Sequence, residues 1–424
     1  MLHAVQRGVF QADPASSHSA SQISTVVSRH PFEDTFMTIR KLPLALAVSL
    51  VFAAPAMAQE TAVHIGYSGP LSGGAAKYGQ EVLEGMQMAV AEINQAGLVV
   101  GGKKVKLDVV ALDDQYNPSE TAINVRRLVQ EDNAPVVLVP HSGGCYAVQT
   151  INQQLKVLLL GYTSVPQLAA RGNPLTIRIP PEFTSYTPAF VKYEMSKYGK
   201  EVAIASTDTD YGKAWTAAFK PAWQAAGGTI VADSPLSYNR ATDFYSGVSR
   251  VLAAKPKVIF VGGPSEPTGL IIRQARELGY KGGFAIMDQA KLDEVAKIAG
   301  GYGALEGSIG VMPVGDDPSP DAKAFVARFA KTHDGRMPTQ EASLNYTAVW
   351  ATAQAMKLAG TTTDAAAIRK VFDQAVKSLP PQNNPNTLSG VDARGGMTMG
   401  RPVVAVVEGG SIKTLPDTAL AAAK

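Results

Sequence analysis

From residue 63 onward, short runs of β-branched and other apolar residues alternate with longer stretches in which apolar positions recur every three or four residues. The short runs have the pattern of buried strands and the long ones that of amphipathic helices. Their alternation predicts βαβ units around a parallel sheet. Strands are expected at 63–67, 105–112, 135–139 and 157–160, with helices at 78–96, 119–131 and 146–154. In the first helix Val82, Met86, Ala89 and Ile93 share one face, and Gly97 supplies the stop. After Arg178-Ile179-Pro180-Pro181 the series starts again, with helices at 185–198, 212–226, 244–254 and 268–278 and strands at 202–206, 229–232, 258–261 and 284–287. Helices at 322–332, 341–358 and 364–377 and a strand at 402–407 complete the chain.

Two such series in tandem predict an α/β protein with two doubly wound parallel-sheet lobes. The segments left over imply that the chain passes between the lobes near 180, 286 and 390, which makes a multi-strand hinge. The first lobe is then expected to hold residues 59–180 and 286–388, and the second 181–285 and 389–424. Right-handed crossovers bring each lobe's loops to the carboxyl ends of its strands, and two such edges facing each other form a cleft.

Of the 424 residues, 46% are hydrophobic and 18% charged, which suits a globular protein with two cores. With 39 basic against 36 acidic residues, the chain lacks the positive excess that a phosphate backbone demands, so nucleic acid is not an expected partner. Residues 37–41 are basic in character, 42–54 are apolar, and 55–59 contain Ala56-Met57-Ala58, an export-signal pattern too short for the roughly 20 residues of a membrane span. Cleavage after Ala58 and a periplasmic destination are expected. Residues 1–36 then read as a mis-assigned start or a disordered extension ahead of a true start at Met37. The single cysteine, Cys145, excludes an internal disulfide and a cysteine-based metal cluster, and Gln59 offers no lipid attachment.

Motifs for catalysis or cofactors are missing. Gly97 to Lys104 has the G-x4-G-K spacing, but Lys104 stands where a magnesium-binding hydroxyl belongs, and the segment follows a helix instead of a strand. Gly66, Gly69, Gly73, Gly74 and Gly79 do not make G-x-G-x-x-G, and Gly66-Tyr67-Ser68-Gly69 falls one residue short of a nucleophile elbow. His64, His141 and His333 have no ligand spacing. No cofactor, no metal and no enzymatic activity are therefore expected.

What remains is a set of polar turns at strand ends: 68–74 with Tyr78-Gly79, 141–146, and 162–166. Each precedes a helix start, where free N–H groups and the helix dipole attract an anion such as a carboxylate. Taken singly, Ser142 and Ser164 read equally well as N-caps; three such turns on one sheet edge favour a ligand site. The second lobe adds 208–212 and 262–267. There Glu266 is either the partner of a ligand ammonium or a solvated loop carboxylate, and Tyr211 either stacks on the ligand or caps its strand.

Ser68-Gly69-Pro70 with Tyr78-Gly79, the run from Gly85-Met86 to Ile93-Asn94, Asp113-Asp114 ahead of Pro118, Thr163 to Leu168, Asp210-Tyr211-Gly212 and Arg273 to Gly279, in that order, resemble the leucine/isoleucine/valine-binding proteins of ABC importers. The likeness extends from Val63 to the final strand. It implies a type I periplasmic binding fold, a monomer that delivers a small amino acid, branched-chain or otherwise hydrophobic, to an inner-membrane permease, and a ligand site at Tyr78, Ser142, Gly144, Cys145, Tyr162, Thr163, Ser164, Tyr211 and Glu266. Within that site Ser164, the backbone around Tyr162 and the turn at Gly144 would hold the ligand carboxylate and part of its ammonium, Tyr78 and Tyr211 would line the walls, and Glu266 would take the ammonium. The chain departs from the family at Ser142-Gly143-Gly144-Cys145, at Tyr162 where a small residue is usual, and at Glu266-Pro267, whose order is reversed. These departures keep open a binder of an aromatic or aliphatic carboxylic acid, and the same two lobes would equally serve a soluble sensor for a receptor.

Overall fold

The computed structural model describes residues 60–399 and 404–415. The expected export signal at 37–58, the segment before it, Gln59 and the start of the last expected strand at 402–403 lie outside them.

Strand β1 (Thr61–Gly69) is buried along both faces, because it lies mid-sheet between two parallel partners. Helix α1 (Ala76–Ala96) follows and buries Val82, Met86, Ala89 and Ile93, then stops at Gly97, whose φ of 82° a side chain would resist. A hairpin of β2 (Leu98–Val100) and β3 (Lys103–Asp113) leads to α2 (Pro118–Gln130), capped by the Asn117 side chain. Then come β4 (Val136–Val139), α3 (Ser142–Gln149), α4 (Asn152–Leu155), β5 (Leu158–Gly161), α5 (Gln167–Ala170) and β6 (Thr176–Arg178). The sheet order β2-β3-β1-β4-β5-β6 is parallel apart from β2.

The second series runs α6 (Thr187–Tyr198), β7 (Glu201–Ser206), α7 (Asp210–Ala225), β8 (Thr229–Asp233), α8 (Tyr245–Ala253), β9 (Val258–Gly262), α9 (Ser265–Glu277), β10 (Gly283–Ile286), α10 (Leu292–Ala299) and β11 (Ile309–Val311). Helices α11 (Pro320–Thr332), α12 (Gln340–Ala359), α13 (Ala365–Lys370) and α14 (Phe372–Lys377) and the small hairpin β12 (Leu388–Val391) and β13 (Met397–Met399) then pack into the core of the first lobe. The chain ends by adding β14 (Val404–Glu408) and β15 (Ser411–Thr414), antiparallel, to the second sheet, which is ordered β15-β14-β11-β10-β9-β7-β8. Two parallel-rich α/β lobes result, joined by three chain passages.

Those passages differ from the expected ones. The chain was expected to return to the first lobe at 286, but β10 and β11 are both strands of the second sheet. Met312 still belongs to the second lobe's core and Val314 to the first lobe's, which places the passage at Pro313. The third passage falls between β13 and β14, beyond the expected 390. The early boundary arose because α10 and β11 are short and separated by the glycine-rich stretch Gly300-Gly301, where no periodic signal stands out. One further difference bears on the site: the helix expected to begin at 146 begins at Ser142, because His141 caps it.

Candidate functional site

The carboxyl ends of β4 and β5 carry the polar turns of the first lobe, and those of β7 and β10 face them from the second. Asp114, fully buried, organises the first side. It accepts from Ser68 Oγ (3.1 Å), Thr121 Oγ1 (2.9 Å) and the Tyr116 amide (3.0 Å), and its Oδ2 lies 3.0 Å from His141 Nε2. Because the Gly144 N–H donates to His141 Nδ1 (3.0 Å), that nitrogen is the acceptor and Nε2 carries the proton given to Asp114. The imidazole stacks on Tyr116 with ring centroids 4.4 Å apart. Fixed in this way, His141 sets the start of α3 and brings Ser142 Oγ to 2.7 Å from Thr163 Oγ1 on the next turn.

Across the cleft stands Asp288, just past β10 and 9% exposed. Its Oδ1 accepts from Ser164 Oγ (3.0 Å), Tyr211 OH (2.5 Å) and Trp215 Nε1 (2.9 Å). The Gln289 amide donates to Tyr211 OH (2.9 Å). Lys291 Nζ donates to the Asp288 carbonyl and lies 3.0 Å from Glu341 on α12, so that a buried ion pair joins the lobes.

The cleft between these walls, counted together with the open space at its mouth, has about 470 Å³. It brings together Tyr78, Ser142, Tyr162, Thr163, Ser164 and Tyr211 of the expected residues. Tyr78 OH donates to the Pro140 carbonyl (2.7 Å). Burial, reinforced by Glu341 at Tyr162 and by Asp288 at Tyr211, pushes these phenols well above their ordinary pKa. Burial does the same at Tyr78. All three are therefore neutral hydroxyls at physiological pH.

Three expected residues lie elsewhere. Gly144 has its N–H committed to His141 and is packed against that ring and Thr121. Cys145 is wholly buried among core residues, its Sγ donating to the Val139 carbonyl (3.4 Å), and burial raises its thiol pKa. Glu266 is exposed on the first turn of α9 and does not line the cleft, because the helix starts three residues earlier than expected and turns that side chain outward. The structure adds Tyr116, His141, Tyr186, Asp288, Gln289, Lys291 and Gln340 to the lining. The run Asp288-Gln289 at a strand's carboxyl end was a signal available in the sequence; the misplaced lobe boundary at 286 hid it.

Among the described residues, no cluster of three or more His, Cys, Asp or Glu side chains is arranged to hold a metal ion, and no helix is long and apolar enough to cross a membrane.

Comparison with known proteins adds to this geometry. The family model described as periplasmic binding protein matches residues 62–410. The Leu/Ile/Val-binding protein BraC3 of Rhizobium johnstonii is 30% identical over 347 residues, covering 81% of this chain and 91% of that protein. An amino acid binding protein of Pseudomonas aeruginosa is 30% identical over 296 residues, covering 68% and 77%. In fold, the chain is similar to the branched-chain amino acid transporter substrate binding protein LivJ of Streptococcus pneumoniae, solved in complex with isoleucine. The TM-score is 0.70 at 22% identity, over 84% of this chain and 99% of that one.

Proposed function

Since the chain belongs to the periplasmic binding protein family, we propose that it is the solute-binding component of an ABC importer and closes its lobes over a small amino acid. The family is one of substrate-binding transport proteins and not of enzymes. The observation that carries the reading is the pairing of chemistries across one cleft. On one wall, Ser142 and Thr163 offer hydroxyls beside the start of α3, whose first-turn N–H groups have no intrahelical acceptors. On the other, Asp288 keeps Oδ2 clear of the three donors that saturate Oδ1. The ligand carboxylate belongs at the first wall and its ammonium at Asp288, the role expected of Glu266.

Ser164 serves this arrangement by bridging the lobes to Asp288 in the closed form, so that ligand binding and closure reinforce each other. An inner-membrane permease that reads the closed shape would be the partner of a periplasmic monomer. A binder of plain carboxylic acids would have no use for the unoccupied Oδ2 of Asp288, and this favours the amino acid over that alternative.

A thermal-shift screen of amino acids against their desamino counterparts tests the reading. A ligand at 100 times its dissociation constant adds about 2.7 kcal/mol of stability. Amino acids should shift the melting temperature and desamino acids should not. Shifts with desamino acids alone would overturn it in favour of a carboxylic acid binder.

A further inference from the structure

Resting on the amino-acid reading, we infer that the cleft selects a side chain bearing a carboxamide over the branched aliphatic ones. Val311 and Leu344 are the only aliphatic side chains other than prolines that line it among the described residues. Beside them stand two glutamines from opposite lobes. Gln289 is 7% exposed, its Nε2 lies 3.3 Å from Tyr116 OH, and its Oε1 is buried without a hydrogen-bond partner. Gln340, the first residue of α12, likewise has a buried, unpartnered Oε1. Turning either amide over would bury an unpaired N–H₂ in place of the oxygen, so both orientations demand a polar complement.

A ligand carboxamide carries donor and acceptor together and answers either orientation. An isobutyl or sec-butyl group would leave both buried glutamine oxygens without a donor, and a site built to hydrogen-bond discriminates strongly against an analogue that cannot. The carboxylate and ammonium of the ligand are already assigned to Ser142, Thr163 and Asp288. The glutamine ends are therefore left for its side chain.

Calorimetric titration of the exported protein with glutamine, asparagine, leucine and isoleucine tests this. Glutamine or asparagine should bind at least about tenfold more tightly than either aliphatic amino acid. Gln289→Met and Gln340→Met, which keep side-chain length, should each cut that ratio by about tenfold, mainly by tightening leucine. Leucine or isoleucine binding as well as the amides in the unaltered protein would overturn the inference and leave the amino-acid reading standing, as would a ratio unmoved in both variants. Binding of none of the four, with desamino acids bound instead, would overturn both.

Discussion

Asp288 draws three donors onto one carboxylate oxygen, a coordination that holds the charge in place inside a cleft and aims the other oxygen at whatever enters. Replacing it by Asn keeps the shape and removes the charge. Asp288→Asn should weaken binding of the amino acid by about 2 to 5 kcal/mol, measured by calorimetry, and leave the weak affinity for a desamino analogue nearly unchanged. An equal loss for both ligands would mean that Asp288 serves only to join the lobes. At this scale the sequence revealed the hydroxyl and tyrosine turns of the first lobe well, because strand ends followed by Ser, Thr and Tyr stand out in any βαβ reading. It misled at Gly144 and Cys145. Both adjoin Ser142, and only the commitment of the Gly144 N–H to His141 and the wholly buried Cys145 Sγ show that they face away from the cleft.

The elements around the site are placed by close packing, and α1 against α12 is one such case. A Cβ on Gly85 would fall 2.1 Å from the Ala342 carbonyl oxygen, so Gly85→Ala must push the helices apart. A cost of about 1 to 3 kcal/mol or more is expected in chemical denaturation. Because Ala342 adjoins Gln340 and Glu341, ligand affinity should fall as well. Helix α10 offers a pH test. Burial, helped by Glu294, raises the Asp293 carboxyl from 3.8 to about 6. Between those values the folded protein binds the proton that the unfolded chain has released, so this group's stabilising effect is complete in acid and is lost as pH rises toward 6. Asp293→Asn should therefore raise stability by about 2 kcal/mol at pH 7.5 and leave it unchanged near pH 3.5, as read by calorimetric melting. Long amphipathic helices such as α1 were legible in the sequence from their single apolar face. Helix α12 was also found, although it is buried on nearly all sides. Short α10 does carry one apolar face, Leu292, Val295, Ala296 and Ala299, that went unread, whereas the three residues of β11 are too few to show an alternation.

Across the whole molecule, the two lobes are tied to each other by ion pairs that span the cleft. Lys291 and Glu341 approach to 3.0 Å with side chains 5% and 1% exposed, and Lys77 pairs with Glu294 nearer the rim. Opening the cleft would solvate Lys291 and Glu341 together, whereas deleting one strands the other in the closed form at a cost of about 3 to 5 kcal/mol. Lys291→Met should thus enlarge the radius of gyration of the ligand-free protein in small-angle scattering and lower ligand affinity. Lys291→Met with Glu341→Leu should restore much of both. The two-lobed plan was readable from the repeated βα series, but the partition was not, since it depends on which sheet short strands join after a long separation in sequence. That error removed Asp288 and Lys291 from the wall where they stand.

The central question is whether the solute is held in the inner cleft at Ser142 and Asp288 or in the wider opening beside it, bounded by Ser72 and Pro118 of one lobe and Asp208, Lys213 and Arg240 of the other. The most direct test is a crystal structure grown with the amino acid that gives the largest thermal shift. Its carboxylate should lie within hydrogen-bond reach of Ser142 and Thr163 and its amine on Asp288 Oδ2. Ligand density in the outer opening, or an amine directed away from Asp288, would contradict that placement.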